Sequence, residues 1–321
     1  MKETKVYLAP LEGVTDSIFR NAFLDYYGGV DKVFTPFISP NSTFKFTTRE
    51  FKEINPENND VHITVPQLLT NKSEHFLWAA AEIAALGFAE INLNLGCPSG
   101  TVVAKKKGSG LLYYPEELDK FLYEIFEGIE EACRKKSAAV PAISIKTRLG
   151  KAEPEESYEI LDIYNKYPIS ELTIHPRIQS DFYKEPVRME NFDYSIVNTD
   201  IPVIYNGDLK SVSDIKDINQ KYENLAGVML GRGVIANPEL ALNYKNQSET
   251  PLDTKKLKAF HDSLLEQYVD ILSGEKPVLH RMKEFWVYWQ TQFEGQEKII
   301  KKIKKSNRLA EYKSIVEMLF G

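Results

Sequence analysis

Hydrophobic residues in the first 233 positions fall into short runs that alternate with longer amphipathic stretches. The runs have the length and the β-branched content of buried strands, and the stretches between them have the period of helices. The predicted strands lie in eight segments, which read VYLAP, KVFTPF, VHITVPQLL, FAEINLNLG, AISIKTRL, ELTIHPR, IPVIYNGD and AGVMLGRG.

Eight strand–helix units in about 240 residues predict an α/β protein built on a (β/α)8 TIM barrel. A doubly wound parallel sheet is the alternative. It is disfavoured because no Gly-x-Gly-x-x-Gly follows the first strand, and because polar residues are spread over nearly all the strands.

After the polar stretch YKNQSETPLDTKK, helical periodicity continues without further strands. Three hydrophobic stripes at helical spacing begin at Leu257, Met282 and Leu309, and their aromatic residues favour a helix-bundle core over a base-stacking surface. We therefore expect a barrel domain over residues 1–242 and a small C-terminal helical domain over residues 255–321.

Polar or conformationally special residues follow the apolar part of nearly every predicted strand. In a (β/α)8 barrel these ends form the active-site rim, and each unpaired buried polar group costs about 1–3 kcal/mol. Each residue alone could be a satisfied core group, but a polar ligand would pair the whole set. The set comprises Pro10, Gln67, Asn94, Cys97, Lys146, Arg148, His175, Arg177, Asn206, Gly207, Asp208, Gly231, Arg232 and Gly233.

The last two predicted strands end in NGD and GRG. Glycines let backbone N–H groups approach an oxyanion, a following helix would add partial positive charge, and the loops after strands seven and eight are the usual phosphate site of these barrels. Lys146 would place a positive charge against an electron-rich ring. Flavin mononucleotide (FMN) meets both requirements.

Cys97 has four candidate roles: a buried thiol, a nucleophile, a metal ligand or a general acid. A metal site is disfavoured because the chain has no Cys-x-x-Cys or His-x-x-x-His, and no histidine in the same loop would activate a nucleophile. A thiol of ordinary pKa, about 8.5, is protonated at neutral pH and can deliver a proton. With Asn94 holding an amide-like ring by paired hydrogen bonds, this favours reduction of a polarised carbon–carbon double bond.

Composition and charge change the picture in one respect. Hydrophobic and charged contents of 43% and 27% are ordinary for a globular protein. The chain has only two cysteines, no apolar run of 18 residues and no signal-like start. These features predict a cytoplasmic protein with no membrane span. The net charge is −6, yet residues 251–321 hold 13 basic and 10 acidic residues. Within them, KIIKKIKKSNR has six basic residues and no acidic one, typical of a solvated helix face or of an RNA-backbone contact.

Seven motifs occur along the chain in the order APLEGVTD, PQLL, NLNLGCPSGTVVAKKKGSGLL, KTR, HPR, NGD and GRG. In this order and spacing they resemble the motifs of the tRNA-dihydrouridine synthases. The resemblance covers roughly residues 5–240, and the tail segment HRMKEFWVYW more loosely. It implies an FMN barrel enzyme that reduces the carbon 5–carbon 6 bond of a uridine in tRNA, with NADPH, or else NADH, as reductant. We expect a monomer without a metal.

The resemblance also implies roles for individual residues. The flavin would be lined by Ala9, Pro10 and Leu11, and its ring would be held by Gln67, Lys146 and His175. Its ribityl phosphate would be bound by Asn206, Gly207, Asp208, Gly231 and Arg232. For the substrate, the resemblance implies that Asn94 orients the uracil, Cys97 protonates carbon 5 and Arg148 contacts the RNA. Arg177 on the rim, and Arg281 and Lys283 upstream of the basic run, are further candidate RNA contacts. Asn92 keeps a structural interpretation, as an amide that braces the rim.

Three departures from the family pattern stand out. Leu11 replaces the commoner methionine, a change that conserves volume. Pro176 replaces a usual glycine, and the segment IQSDFYKEPVRMENFD that follows is not the typical continuation. Because this loop flanks the mouth of the barrel, these changes leave open which uridine is reduced.

Two alternatives from other classes remain. A flavin barrel acting on a small molecule, such as an ene-reductase or a dihydroorotate dehydrogenase relative, has no need of a basic helical tail. A non-catalytic RNA-binding module is disfavoured because Cys97, Lys146 and Gln67 are all present.

Overall fold

The structure, a computed structural model, describes residues 4–321 and contains one sheet of nine parallel strand segments. Their order in the sheet is β3-β2-β1-β9-β8-β7-β6-β5-β4. The strands are β1 Lys5–Leu8, β2 Lys32–Phe34, β3 Thr64–Val65, β4 Gln67–Leu68, β5 Glu90–Leu95, β6 Ala142–Gly150, β7 Leu172–Ile178, β8 Val203–Tyr205 and β9 Gly227–Leu230.

The two ends of this sheet order are neighbours in the chain. β3 pairs with β2, β4 pairs with β5, and only Pro66 separates β3 from β4. Proline has no N–H to donate to a ladder, so one strand is divided into two segments at this point. The nine segments are therefore the eight predicted strands, and the sheet forms a nearly closed barrel.

Helices alternate with the strands along the chain, so the predicted (β/α)8 barrel is confirmed and the doubly wound sheet is excluded. The helices are α1 Ser17–Tyr26, α2 Thr48–Ile54, α3 Ser73–Ala85, α4 Gly100–Val103, α5 Pro115–Arg134, α6 Glu156–Tyr164, α7 Met189–Val197, α8 Val212–Lys221, α9 Arg232–Ala236, α10 Leu240–Lys245, α11 Thr254–Ile271, α12 Glu275–Trp289, α13 Glu297–Lys305 and α14 Leu309–Phe320.

The chain forms two compact units, each discontinuous in sequence. The first runs to Pro10 and continues over Asp31–Gly207 and Asn219–Met229; the second comprises Leu11–Val30, Asp208–Ile218 and Leu230–Gly321. The division into domains at residues 242 and 255 stays a prediction.

A cluster of ion-paired side chains lies at the amino end of the barrel in the first unit. Lys32 Nζ lies 2.6 Å from carboxylate oxygens of both Glu90 and Glu171, and the Tyr7 hydroxyl donates to Glu171 at 2.8 Å. Glu171 is only 7% exposed, so its charge is balanced by close hydrogen-bonded partners rather than by water. These ion pairs and hydrogen bonds therefore hold β1, β2, β5 and the residue before β7 together at the amino end of the barrel.

The second unit has an aromatic core. Phe19 of α1 stacks with Phe285 of α12 at a centroid distance of 5.4 Å and meets Phe260 of α11 edge-on. Tyr312 of α14 accepts the indole N–H of Trp286 at 2.8 Å, and all these rings are buried. The aromatic stripes of the tail are therefore core, as the helical pattern predicts.

Two features are absent from residues 4–321. Nowhere in this range does a helix combine the length and the apolar character needed to cross a membrane. Likewise, these residues contain no group of three or more His, Cys, Asp or Glu side chains that could hold a metal ion.

Candidate active site

Strand register places the predicted polar residues of the first unit in rows across the barrel. Gln67 pairs with Asn92 and Asn92 with Ser144, which forms the lowest row. One step nearer the carboxyl ends, Asn94 pairs with Lys146. Because residues two apart share a face of a strand, the rows stack on one face. Arg148 pairs with His175 on the same face and forms the uppermost row.

A continuous chain of amide hydrogen bonds runs through these rows. Asn92 donates to the Ser144 hydroxyl at 2.9 Å and accepts from the Gln67 amide nitrogen at 2.8 Å. Gln67 in turn accepts from Asn94 at 2.7 Å, and the Asn94 oxygen accepts the backbone N–H groups of Gly96 and Cys97 at 3.1 and 2.9 Å. The buried amides are therefore paired with one another, which avoids the cost of leaving them unsatisfied.

The backbone fixes the direction of this chain. An N–H group can only donate, so the N–H groups of Gly96 and Cys97 require the oxygen of Asn94, which turns its NH2 group towards Gln67. Gln67 must then accept from Asn94 and donate to the oxygen of Asn92, so that Asn92 donates to the Ser144 hydroxyl. Because its oxygen already accepts two hydrogen bonds, Asn94 has only one N–H left for a ligand. It can therefore donate a single hydrogen bond, instead of forming the pair of hydrogen bonds expected from the sequence.

The loop that carries Cys97 is held on its other side as well. The Cys97 carbonyl accepts from the backbone N–H and the hydroxyl of Ser109, at 3.2 and 2.8 Å. Gly108 has φ +55°, and a β-carbon there would lie 3.0 Å from the Cβ of Cys97. Only glycine fits this approach without strain. The half-buried thiol of Cys97 thus projects from a backbone that is fixed on both sides.

Lys146 is a half-buried cation in the first unit. Within residues 4–321, no carboxylate lies within ion-pair distance of it. Burial, reinforced by the positive charge of Arg148 and opposed by Cys97, lowers the pKa of Lys146 to about 7. An anionic or electron-rich ligand would favour the charged form.

Arg148 is buried and links two loops of the rim. It is 2% exposed, and it donates to the backbone carbonyls of Gly96, Ile178 and Phe182 at 3.0, 2.8 and 2.8 Å. These carbonyls belong to the Cys97 loop and to the loop after β7. The guanidinium therefore joins two rim loops, and its contact with RNA stays a prediction.

His175 and Arg177 share one face of β7. An Arg177 N–H lies 2.9 Å from His175 Nε2, and since a guanidinium can only donate, this nitrogen accepts and the imidazole carries its proton on Nδ1. Arg177 also donates to the Glu185 carbonyl at 2.5 Å and is 2% exposed. Its RNA contact likewise stays a prediction.

The predicted phosphate residues are divided between the two units. In the first, Asn206 donates to the Met229 carbonyl at 2.7 Å, next to Gly207. In the second, Arg232 forms an ion pair with Asp208 at 2.7 Å, so its charge is partly balanced. Helix α9, which begins at Arg232, has only five residues. The phosphate role of these residues, and the flavin contacts of Ala9, Pro10 and Leu11, stay predictions.

The two α12 residues that are predicted to contact RNA have partners within the second unit. Arg281 lies 3.6 Å from Asp16 and 3.7 Å from Glu284, and Lys283 donates to the Ser306 carbonyl. The basic residues of the tail differ, because α13 buries Ile300 and Ile303 and turns lysines to solvent. The exposed ones, which form no ion pair among residues 4–321, are Lys301, Lys302, Lys305 and Arg308.

Sequence reasoning missed three residues that the structure places at this site. Ser144 ends the amide chain, and a hydroxyl in the otherwise aliphatic start of β6 was its signal. Ser109 holds the Cys97 carbonyl from a glycine-rich segment that gave no signal. Tyr183 lies with its ring centroid 5.8 Å from that of His175, in the loop that departs from the family pattern.

A nearly closed parallel barrel with buried amides, a cysteine and a lysine at the carboxyl ends of its strands is the architecture of a (β/α)8-barrel enzyme. The model of the dihydrouridine synthase (Dus) family matches residues 7–318 of this chain. The chain therefore belongs to the dihydrouridine synthase family, and it is an oxidoreductase.

Curated relatives match over nearly the whole chain. The tRNA-dihydrouridine(16) synthase of Vibrio parahaemolyticus serotype O3:K6 (strain RIMD 2210633) is 27% identical over 318 residues, 95% of this chain and 93% of that protein. The tRNA-dihydrouridine(16) synthase of Neisseria meningitidis serogroup A / serotype 4A (strain DSM 15465 / Z2491) is 30% identical over 250 residues, 76% of this chain and 72% of that protein.

Among solved structures, morphinone reductase in complex with tetrahydroNAD has a TM-score of 0.53 at 11% identity, over 78% of this chain and 89% of that chain. The old yellow enzyme homologue from Zymomonas mobilis has a TM-score of 0.52 at 9% identity, over 78% and 90%. At these identities the likeness concerns the fold alone.

Proposed function

We propose that this protein is a tRNA-dihydrouridine synthase, which reduces the carbon 5–carbon 6 double bond of a uridine in tRNA. The observation that carries the proposal is the amide chain that ends at the backbone of Cys97. It fixes an N–H donor at Asn94 close to the backbone of Cys97. The chain belongs to the dihydrouridine synthase family, and reduction of uridine uses a hydrogen-bond donor and a proton donor of this kind.

The site residues fit FMN. Lys146 is a half-buried cation that lacks a carboxylate partner within residues 4–321, and a reduced flavin would supply the missing negative charge. His175 lies on the same face of the sheet as Lys146 and Arg148, one strand along. When bound, FMN supplies the hydride, drawn from NADPH, that uracil carbon 6 accepts.

The residues of the chain do the rest. The thiol of Cys97 donates its proton to carbon 5, so that one hydride and one proton together saturate the double bond. The free N–H of Asn94 binds a uracil carbonyl oxygen, on which negative charge develops as the hydride arrives. Gln67 and Asn92 keep Asn94 in this orientation, and Arg148 holds the loop of Cys97 against the loop after β7.

The experiment is to incubate the purified protein with FMN, NADPH and unmodified tRNA, and to locate dihydrouridine by mass spectrometry. We expect dihydrouridine at defined positions. Because the relatives include both position-16 enzymes and a synthase B, all uridines are scanned. Oxidation of NADPH by a small unsaturated acceptor, without any dihydrouridine in tRNA, would instead support the small-molecule reductase.

A further inference from the structure

The loop after β7 exposes two neighbouring aromatic side chains. Phe182 and Tyr183 are 44% and 52% exposed. Among the aromatic ring contacts of residues 4–321, none involves Phe182, so its ring contributes no aromatic packing to the fold. Large aromatic residues left in solvent at adjacent positions of the chain indicate a binding surface.

These rings lie beside the candidate active site. The Tyr183 ring lies 5.8 Å from the ring of His175, and the guanidinium carbon of Arg148 lies 5.3 Å from its centroid. Arg148 donates both to the Phe182 carbonyl and to the Gly96 carbonyl. One buried side chain therefore ties the aromatic pair to the loop that carries Cys97.

The backbone at Phe182 is strained and firmly held. Its φ is +49° and its ψ is −100°, a region that residues with a β-carbon avoid. The buried carboxylate of Asp181 accepts the Ile178 N–H at 2.9 Å and pairs with Arg188. Glycine would adopt this turn at no steric cost, yet the position carries an exposed phenyl ring. The geometry indicates that the ring is present for binding.

We propose that Phe182 and Tyr183 form a stacking platform for an unpaired nucleobase that adjoins the uridine entering the barrel. This inference rests on the proposed function for the identity of the RNA. Extruding a uridine uncovers a face of its neighbour, and an exposed aromatic ring beside the site replaces the lost stacking. The exposed Lys184 next to the pair suits the adjoining phosphate.

The first test replaces Phe182 with glycine. Losing one base–aromatic stack should weaken the affinity for unmodified tRNA by about 5- to 100-fold. The melting temperature should not fall, because glycine relieves the strained φ. Phe182→Tyr should keep the affinity, and Tyr123→Ala is the matched control, since Tyr123 is 58% exposed on α5. A glycine variant that binds normally, or that melts earlier, would overturn the platform.

The second test asks which part of the RNA meets Phe182. After the reduced uridine has been mapped, tRNAs with an abasic ribose at either flanking position are titrated against the wild type and Phe182→Gly. At one flank, base removal should weaken the wild type and leave the variant nearly unchanged. Equal losses for both proteins at both flanks, with dihydrouridine still formed, would overturn the platform alone. A wild type that binds no tRNA would overturn the proposed function as well.

Discussion

At the residue scale, the two cysteines of the chain provide a matched pair. Cys97 is half-buried on the rim loop, whereas Cys133 lies fully buried on α5. Cys97→Ala should slow dihydrouridine formation by about 10²- to 10⁴-fold, the usual contribution of a general acid, with flavin binding unchanged. Cys133→Ala should leave the rate unchanged. Single-turnover rates with unmodified tRNA check both, and an alanine variant at position 97 with the normal rate would require another proton donor.

Asn92 does not reach the rim, yet the amide chain makes it a positioning residue. Asn92→Leu removes the acceptor of Gln67 and the donor to Ser144, so we expect a loss of about 1–3 kcal/mol in unfolding free energy for each buried group left unpaired. The rate should fall as well, because the Gln67 amide is then free to turn. Ser144→Ala removes only the last acceptor and should have a smaller effect on both. Urea unfolding and turnover measure the two effects, and equal rates for Asn92→Leu and the wild type would exclude the positioning role.

The lowered pKa of Lys146 predicts a pH dependence. With a pKa of about 7 in the free protein, the ammonium is charged below pH 7, and an anionic ligand raises this pKa on binding. The affinity for reduced FMN should therefore be highest below pH 7 and should fall, by at most about tenfold per pH unit, as the pH rises towards the pKa of the complex. Anaerobic titrations from about pH 6 to 9 test this. Lys146→Met should bind more weakly at low pH and show no such slope; a wild type without the slope would mean that the cation does not face the flavin.

At the scale of the element, α13 buries Ile300 and Ile303, whereas its lysines and the following Arg308 form no ion pair within residues 4–321. Each phosphate neutralised by these basic residues releases condensed counterions, so tRNA affinity should fall steeply with salt. Replacing Lys301, Lys302, Lys304, Lys305 and Arg308 with glutamine should weaken binding at low salt and flatten its dependence between about 50 and 200 mM salt.

A control with the same change in net charge separates contact from long-range attraction. Glutamine at five exposed basic positions of the first unit should leave the salt slope nearly unchanged, because each of these side chains already pairs with a carboxylate. A mutant of α13 that keeps the wild-type slope would make its basic face a solvated surface only. The five control positions are Lys120, Arg134, Lys135, Lys136 and Lys166.

At the scale of the whole molecule, a ligand that binds only the folded protein stabilises all of it. FMN at 100 times its dissociation constant should add about 2.7 kcal/mol to the unfolding free energy and raise the melting temperature by several degrees. Riboflavin lacks the phosphate, so its shift should be smaller if the loops after β8 and β9 contact that group. Thermal melts with each ligand, and the colour released on denaturation, check this. No shift with either ligand would contradict a flavin site.

The sequence alone determined the number and places of the strands, because hydrophobic alternation is a local property of the chain. It likewise placed Asn94 and Lys146 on the inner face of their strands, since the period of a strand decides which residues share a face, and Cys97 just after β5. It did not foresee the break at Pro66, where a single predicted strand becomes two segments.

Only the tertiary structure decided which donor meets which acceptor. The side-chain bonds of the amide chain join residues 25 to 52 positions apart, and their direction follows from two backbone N–H groups that no pattern of residue types reveals. Arg148, expected at the RNA, is buried because three carbonyls from distant loops converge on its guanidinium. Such pairings depend on strand register and loop closure, which are set when the barrel forms rather than by the residues next to each group in the chain.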